Sequence, residues 1–385
     1  MTLRVLVLCG LAAALSAYGG SVLILALPAV ALDFHAPVRE LTNLGSVLSF
    51  GSVGALPLAA LADRAGRRRM LALAVAGFSL AGLLSAWAPT VAWLAVGRVL
   101  GVCFEALAAS IATALVVEAI PAGRRGLAVS ILTLAAGAGI AVTTIAYPLV
   151  VPHWRWLYLG AGAGLLAVPA LLAWLPESRA WRPLGASGSV MHALLEPPFR
   201  DRLLLVAGYV ALYAVFVEPA GLLVVFFGSR LGLLPPELSA VVVASGIVGA
   251  LCFAPGGWLS DRFGRRRPAV ALTVLTAIAG GLAFAGSSRA AYWAFNIAWS
   301  GLASALAPVA GAWFGELFPT RARATSESVL TVSAAVGAVA GLQLAGGLEP
   351  ALGLGRALAA CALVTLVSAA LLLRLPETRG LPLPR

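Results

Sequence analysis

The hydrophobic residues of this chain form long runs that are separated by short polar segments, and this alternation continues from one end to the other. Each run holds about 20 residues, the length that an α-helix needs to cross the hydrocarbon core of a bilayer. The pattern therefore predicts an all-α polytopic membrane protein with twelve transmembrane helices. Their predicted limits are 5–30, 43–62, 70–88, 91–117, 126–150, 156–175, 203–228, 238–259, 269–287, 290–315, 325–347 and 352–374.

The polar segments indicate that the chain consists of two related halves. Residues 61–69 read Leu-Ala-Asp-Arg-Ala-Gly-Arg-Arg-Arg, and residues 259–267 read Leu-Ser-Asp-Arg-Phe-Gly-Arg-Arg-Arg, 198 positions later. One Asp and four Arg cannot lie in hydrocarbon, so each copy predicts a tight polar turn between two spans. Gly66 and Gly264 would allow the backbone to reverse sharply there.

Two further pairs of segments have nearly the same spacing. Glu118–Pro121 aligns with Glu316–Pro319, and Leu175–Arg179 aligns with Leu375–Arg379. Six spans separate the copies of each segment, and an even number of spans gives both copies the same direction in the membrane. The chain is therefore predicted to form two parallel six-helix repeats. Three regions are expected, namely an N-terminal bundle over 1–175, a central cytoplasmic linker over 176–202 and a C-terminal bundle over 203–385.

The distribution of arginine predicts the orientation of the chain. All 26 basic residues are Arg, and most of them lie at the termini or in the loops after even-numbered spans. Because positive charge stays on the cytoplasmic side, both termini are expected in the cytoplasm of a multi-pass protein of the inner or plasma membrane. The exceptions are Arg39, Arg155, Arg230, Arg289 and Arg356 on the other side, and Arg98 within a span.

The remaining composition narrows the classes of function. A formal net charge of +11 can indicate nucleic-acid binding, but loop arginines that orient the spans account for it, so no nucleic-acid partner is expected. The chain has no Lys, which excludes a phosphate-binding P-loop and a pyridoxal Schiff base. Its four Cys lie in separate apolar runs and its three His in predicted loops, so neither a metal site, a cofactor nor a catalytic centre is expected.

Ionisable residues within the predicted spans are the candidates for function, since charge in the membrane is costly. Arg98 and Glu105 are seven positions apart on span 4, so they project from one face with ~10 Å between them along the helix axis. Glu218 lies beside Pro219 on span 7. Asn296 on span 10 occupies the position that corresponds to Arg98 in the second half.

The repeated turns and the twelve spans resemble the major facilitator superfamily throughout the chain. One departure is that this family commonly has Gly four residues before the turn Asp; Gly257 fits, whereas the first half has Ala59. The Pro-Glu-Ser and Pro-Glu-Thr segments, together with Glu118 and Glu316 seven residues before an Arg, are similar to the sugar-porter and organic-ion branches.

The resemblance implies a cytoplasmic gating network, in which charged groups at the helix ends latch the two halves when the outer side is open. The alternative is that these charges only fix the topology and keep the turns hydrated. The residues concerned are Asp63, Arg64, Gly66, Arg67, Glu118, Arg125 and Glu177 in the first half, and Asp261, Arg262, Gly264, Arg265, Glu316, Arg323 and Glu377 in the second. Each Glu in these sets is expected to meet arginine side chains.

The resemblance also implies that spans 1, 4, 7 and 10 line a central cavity. A carboxyl group in a partly hydrated cavity can take up and release a proton near neutral pH. We expect Glu105 or Glu218 to carry a coupling proton, with Arg98 tuning its charge or holding an anionic substrate; the alternative is a static Arg98–Glu105 pair that braces the bundle. The full set of pathway candidates is Tyr18, Arg98, Glu105, Tyr213, Glu218, Asn296 and Trp299.

The resulting hypothesis is a monomeric secondary transporter that moves a small organic ion or amphipathic solute by alternating access, driven by protons. A drug/proton antiporter that exports its substrate, a sugar/proton symporter and a transporter-like sensor are the alternatives. Span 5 lacks the Gly-Pro signature of many exporters, which argues weakly against antiport. The small number of polar side chains within the spans disfavours a sugar, whose hydroxyl groups need many directed hydrogen bonds.

Overall fold

The computed structural model describes residues 2–120, 125–177, 196–197, 199–286, 288–318 and 323–379, and the regular secondary structure of these residues is entirely helical. Twelve of the helices are long and apolar enough to cross a membrane, which confirms the predicted fold class. Those of the first half are α1 (Thr2–Asp33), α2 (Val38–Ala65), α3 (Arg67–Ala86), α4 (Val91–Ala119), α5 (Arg125–Val150) and α6 (Arg155–Trp174). Those of the second half are α7 (Phe199–Arg230), α8 (Pro235–Phe263), α9 (Arg266–Ala285), α10 (Arg289–Leu317), α11 (Arg323–Leu352) and α12 (Leu354–Leu372).

The sixth helix differs from the continuous span that the sequence predicts. A 3₁₀ segment, Gly162–Ala167, separates the α-helical pieces Arg155–Ala161 and Val168–Trp174. Glycine is a poor former of α-helix, and a Cβ atom on Gly162 would lie only 2.5 Å from Leu83 Cδ2 of α3. The glycines thus favour close packing of α6 on α3 at the cost of regular helical geometry.

The two repeated polar turns are shorter than the sequence suggests. Gly66, with φ of 96°, is the one residue between α2 and α3, and Gly264, with φ of 89°, lies between α8 and Arg265. A positive φ reverses the chain within one residue, which glycine tolerates and other residues rarely adopt. Asp261 and Arg262 therefore lie in the last turn of α8 and not in a loop.

The chain divides into two compact units. One comprises Met1–Glu40 and Val47–Ala186, and the other comprises Leu41–Ser46 and Ser187–Arg385. The predicted linker 176–202 falls largely outside the described residues, so the predicted domain limits remain a prediction.

Small residues allow the helices of each unit to approach closely. In the first unit a Cβ atom on Gly139 of α5 would overlap the carbonyl oxygen of Ala14 on α1. In the second unit a Cβ on Gly341 of α11 would overlap the carbonyl oxygen of Val215 on α7. Such backbone-to-backbone contact is typical of membrane helices, whose association depends on close packing.

Candidate functional site

The first unit holds an ion pair between Arg98 and Glu105, two charged residues of α4. Arg98 Nη1 lies 3.2 Å from Glu105 Oε1, and Nη2 lies 3.5 Å from Oε2, so the guanidinium and the carboxylate meet edge to edge. Their side chains are 3% and 11% exposed. The seven-residue spacing therefore brings the two groups together, because the long arginine side chain spans the two helical turns between them.

Two glycines of α1 make room for this carboxylate. A Cβ atom on Gly19 would lie 2.8 Å from Glu105 Oε1, and one on Gly20 would lie 3.4 Å from Oε2. Glu105 is thus seated against the bare backbone of α1, and Ser16 of the same helix donates a hydrogen bond to the Glu105 carbonyl oxygen at 3.3 Å. Neither glycine was among the residues that the sequence predicted for this site.

Tyr158 of α6 completes the surroundings of the pair. The guanidinium carbon of Arg98 lies 5.8 Å from the centre of its ring. Arg98 Nε and the Tyr158 hydroxyl are both buried, and neither has a hydrogen-bond partner within the part of the chain that the structure describes. The predicted pathway residue Tyr18 lies on α1 and donates to the Leu157 carbonyl oxygen at 3.0 Å. Two unsatisfied polar atoms therefore remain beside the ion pair.

This arrangement links the charge of Arg98 to the protonation state of Glu105. While Glu105 is ionised, the pair is neutral overall, and the cation has its counter-ion within hydrogen-bond distance. A proton on Glu105 would remove the negative charge and leave a buried cation that needs another anion. The pair can therefore act either as a static brace or as an exchangeable site for an anion.

The corresponding position in the second unit carries a neutral network. Asn296 donates to Ser245 Oγ at 3.3 Å and accepts a hydrogen bond from the Trp299 indole N–H at 2.7 Å. Trp299 is 8% exposed, and its ring packs edge-on against Phe216. The structure therefore directs Trp299 toward Asn296 and the interior of the unit, and the two halves differ in charge at matching positions.

Glu218 of α7 has surroundings unlike those of Glu105. Its side chain is exposed, and it has no hydrogen-bond or ion-pair partner among the described residues. A Cβ atom on Gly221, one turn further along α7, would meet nothing within 4 Å. The predicted candidate Tyr213 lies on the same helix and stacks on Tyr209 with ring centres 5.7 Å apart. Glu218 thus borders open space within a membrane-spanning helix.

The repeated motif of the first unit brings together charges from distant parts of the sequence. Arg67, the first residue of α3, forms an ion pair with Glu118 near the end of α4. Glu177 accepts hydrogen bonds from the backbone N–H groups of Arg67 at 2.9 Å and Arg68 at 3.2 Å. The side chains of Asp63, Arg64, Arg125 and Arg323, which the sequence assigns to the gating network, lie outside the described part of the structure.

The second copy of the motif is centred on Arg265. Its guanidinium contacts Asp261 Oδ1 at 2.6 Å and both carboxylate oxygens of Glu316, at 2.9 and 3.3 Å. Thr378 also donates to Glu316 Oε2, at 2.5 Å. One arginine therefore neutralises two acids that come from α8 and α10.

The contacts of Glu377 among the described residues differ from the expectation that each motif glutamate meets arginine side chains. Its carboxylate instead accepts hydrogen bonds from the backbone N–H groups of Arg265 at 2.8 Å and Arg266 at 3.0 Å, as Glu177 does for α3. Each carboxylate therefore caps the N-terminus of a helix, where the free N–H groups and the helix dipole favour an anion. Arg262 lies over aromatic rings and contacts no acid among the described side chains, which likewise differs from the expected network.

The cap makes the stability of this region dependent on pH. Partial burial alone would raise the pKa of Glu377, but hydrogen bonds from the backbone N–H groups of Arg265, Arg266, Arg379 and Thr378 outweigh burial and hold that pKa below its ordinary value of 4.5. A carboxyl group with a lower pKa in the folded state stabilises the fold above the ordinary value. This contribution is lost as the pH falls through the folded-state value.

We expect Glu377→Ala to lower the free energy of unfolding by about 0.5–2 kcal/mol at neutral pH, the range measured for lost helix caps. The check is the melting temperature of the purified protein as a function of pH, in which the gap between variant and wild type should narrow below pH 4.5. Glu349→Ala is the control, because the Glu349 side chain has no partner among the described residues. An equal loss in both variants would contradict the cap.

The sequence of this chain matches one family of known proteins over nearly its whole length. The Major Facilitator Superfamily model matches residues 9–233 and residues 219–384, which together span nearly the whole chain. Within the described residues, no group of three or more His, Cys, Asp or Glu is placed to hold a metal ion.

Two transporters and a resistance protein are similar to this chain in sequence. It is 29% identical over 398 residues to a probable 4-methylmuconolactone transporter of Cupriavidus pinatubonensis, covering 92% of this chain and 86% of that protein. It is 36% identical over 141 residues to a gallate transporter of Pseudomonas putida, covering 35% and 31%. It is also 36% identical over 156 residues to a puromycin resistance protein of Streptomyces alboniger, covering 39% and 31%. The last two matches span less than a third of those relatives.

The fold is similar to that of solved structures over its full length. The inward-open xylose transporter XylE from E. coli superposes with a TM-score of 0.78 and covers 99% of this chain and 98% of that one. Sequence identity is 17%, so the likeness concerns the fold alone.

Proposed function

This chain belongs to the Major Facilitator Superfamily, and we propose that it imports a small organic acid together with a proton. It is a multi-pass membrane transporter and not an enzyme, since its family and its relatives named for 4-methylmuconolactone and gallate are transporters. Its substrate class follows from the relatives named for 4-methylmuconolactone and gallate, both small organic compounds. Gallate carries a carboxylate, and an arginine within a membrane span is a suitable partner for such a group.

The observation that carries this proposal is the buried Arg98–Glu105 pair at the centre of α4. A guanidinium binds a substrate carboxylate through two parallel hydrogen bonds, which is the geometry that it now offers to Glu105. Substrate and Glu105 then compete for the same cation. A proton on Glu105 decides the competition in favour of the substrate, and in this way uptake of the anion and of the proton are coupled.

Glu105 is the better candidate for the proton than Glu218. Coupling requires the proton to change the affinity for the substrate, and a ligand shifts an equilibrium only by its differential affinity for the two states. Glu105 meets this requirement because its hydrogen bonds occupy Arg98 directly. Glu218 has no such partner in the described residues, so its protonation would act on the substrate only through direct contact.

The cytoplasmic motifs would control access to the pathway. Arg67–Glu118 in one unit and Arg265–Glu316 in the other are charge pairs at the ends of membrane helices, where they can form and break as helices move. We further propose that the protein lies in the cytoplasmic membrane as a monomer with both termini inside the cell. The arginine distribution supports this orientation.

Drug export is the second candidate function. The observation that favours it is the 36% identity to a puromycin resistance protein over 156 residues. Against it stand the longer match to a 4-methylmuconolactone transporter and the absence of a Gly-Pro signature from residues 126–150. An exporter of a cationic drug would also have little use for a buried arginine.

The test is transport of labelled gallate by the purified full-length chain in liposomes. A gradient of about one pH unit, acidic outside, should drive about tenfold accumulation if one proton accompanies each monoanion. A protonophore should abolish accumulation, and liposomes without protein serve as the control. If labelled puromycin is exchanged and gallate is not, drug export is the better supported function. Absence of exchange with both gallate and 4-methylmuconolactone would overturn the proposed substrate class.

A further inference from the structure

An arginine at the end of α8 lies over two exposed aromatic rings. The guanidinium carbon of Arg262 is 5.3 Å from the ring centre of Trp258 and 5.8 Å from that of Phe263. The two rings are 56% and 51% exposed and meet edge to face. A guanidinium stacked on rings keeps its N–H edges free, so these edges remain available as hydrogen-bond donors.

The acids near Arg262 are already engaged. Asp261 and Glu316 bind the Arg265 guanidinium, and the Glu377 carboxylate binds backbone N–H groups. Arg262 forms no ion pair with any residue whose side chain the structure describes. Among the described side chains, the guanidinium of Arg262 therefore has no anionic partner.

A second arginine lies against the first. Arg379 Nη1 donates to the Arg262 carbonyl oxygen at 2.7 Å, and its side chain likewise forms no ion pair with a described residue. Both residues are exposed. Two exposed arginines thus lie at the end of a membrane span, and the guanidinium of one of them contacts the backbone of the other.

The first half shows that the repeated motif does not itself require these rings. Trp258 and Phe263 correspond to Ala60 and Ala65 at the repeat offset, while the Asp, Gly and Arg positions of the motif are identical in both copies. The aromatic residues are therefore an addition to the second copy.

We infer that Trp258, Arg262, Phe263 and Arg379 bind the phosphate group of an anionic phospholipid. The rings occupy the position at the end of a span where Trp is favoured at the headgroup level. They fix the position of Arg262, whose N–H groups can donate to a phosphate, and Arg379 adds a second positive charge. The exposed apolar surface of the rings favours a lipid over free phosphate, because only a lipid has acyl chains to cover it.

The experiment titrates phosphatidylglycerol into the detergent-purified full-length protein. Native mass spectrometry then counts the lipid molecules that each protein molecule retains. Wild type should retain one more than Arg262→Ala, whose affinity at this site should be about fivefold weaker, the effect of one basic side chain beside an anionic surface. The double variant Trp258→Ala/Phe263→Ala, which reproduces the first copy, should also bind more weakly. Phosphatidylcholine should not replace phosphatidylglycerol in wild type.

Arg230→Ala is the matched control. Arg230 is also exposed and also lies over a ring, that of Phe226 at 5.0 Å, but it is at the opposite end of its membrane span from the repeated turns. Equal loss of lipid from Arg230→Ala and Arg262→Ala would overturn the inference, as would equal retention of phosphatidylcholine. Displacement of the lipid by inorganic phosphate at equal concentration would assign the site to free phosphate and overturn it too. Melting temperatures of all variants identify any that are misfolded. If Arg262→Ala is misfolded, Arg262→Lys, which keeps the charge, replaces it.

Discussion

Glu105→Gln should abolish the accumulation of substrate under a pH gradient while leaving exchange of labelled for unlabelled substrate intact. Glutamine keeps a carbonyl oxygen that can accept a hydrogen bond from Arg98, but it can neither carry the negative charge nor bind the proton. Accumulation should therefore fall from about tenfold, at a gradient of about one pH unit, to none. The measurement is uptake by proteoliposomes with and without the gradient, alongside counterflow without it.

Glu218→Gln and Glu349→Gln complete this experiment. Glu349 lies near the end of α11, has no side-chain partner among the described residues and should behave like wild type. If Glu218→Gln, and not Glu105→Gln, loses accumulation, the proton is carried by α7. Unchanged accumulation in both variants would remove proton coupling through either residue, and the Arg98–Glu105 pair would then be a structural brace.

Arg98→Ala distinguishes a structural role of the Arg98–Glu105 pair from a role of Arg98 in substrate binding. Removing one partner of a buried ion pair leaves an uncompensated charge and costs about 3–5 kcal/mol. If the pair only braces the bundle, Arg98→Ala with Glu105→Gln should restore stability and transport together. If Arg98 binds the substrate, the double variant should recover its melting temperature but remain unable to exchange substrate.

Gly139→Ala should strongly destabilise the first unit. The added methyl group would overlap the carbonyl oxygen of Ala14, and a backbone atom cannot move aside as the end of a side chain can. Overpacking costs about 1–3 kcal/mol in well-packed interiors, and a clash with backbone lies at the upper end of that range. The measurement is the melting temperature of the purified protein, together with the fraction that remains monodisperse.

The control for this variant lies two residues away. A Cβ atom on Gly137 of the same helix would meet nothing within 4 Å, so Gly137→Ala should match or exceed wild-type stability, since alanine favours helix. Gly341→Ala and Gly347→Ala form the equivalent pair in α11, with a clash against Val215 and open space respectively. Equal melting temperatures within each pair would show that α1–α5 and α7–α11 do not pack as closely as described.

Much of the architecture was predictable because it depends on local features of the sequence. The number and length of the spans follow from the hydrophobic runs, and the nearly equal spacing of three motif pairs predicts two parallel repeats. The Arg98–Glu105 contact was also within reach, because both residues lie on one helix with a spacing that faces them the same way. What could be read from the sequence is thus what a single helix or a repeat determines.

Contacts between distant segments were not predictable in the same way. Gly19 and Gly20 pack against a carboxylate 85 or more positions away, and adjacent glycines within an apolar run gave only a general sign of close packing. Glu377 was expected to pair with arginine side chains, since unlike charges attract. Backbone N–H groups compete for the same carboxylate, and their availability depends on where a helix begins in three dimensions.

The helix cap formed by Glu377 has a consequence for handling the protein. Glu377 follows α12, yet it holds the beginning of α9, so a variant truncated directly after Leu372 would keep every transmembrane helix and still lose this contact. A fluorescent fusion or affinity tag should therefore be attached beyond Arg379, whose own backbone N–H also binds the Glu377 carboxylate.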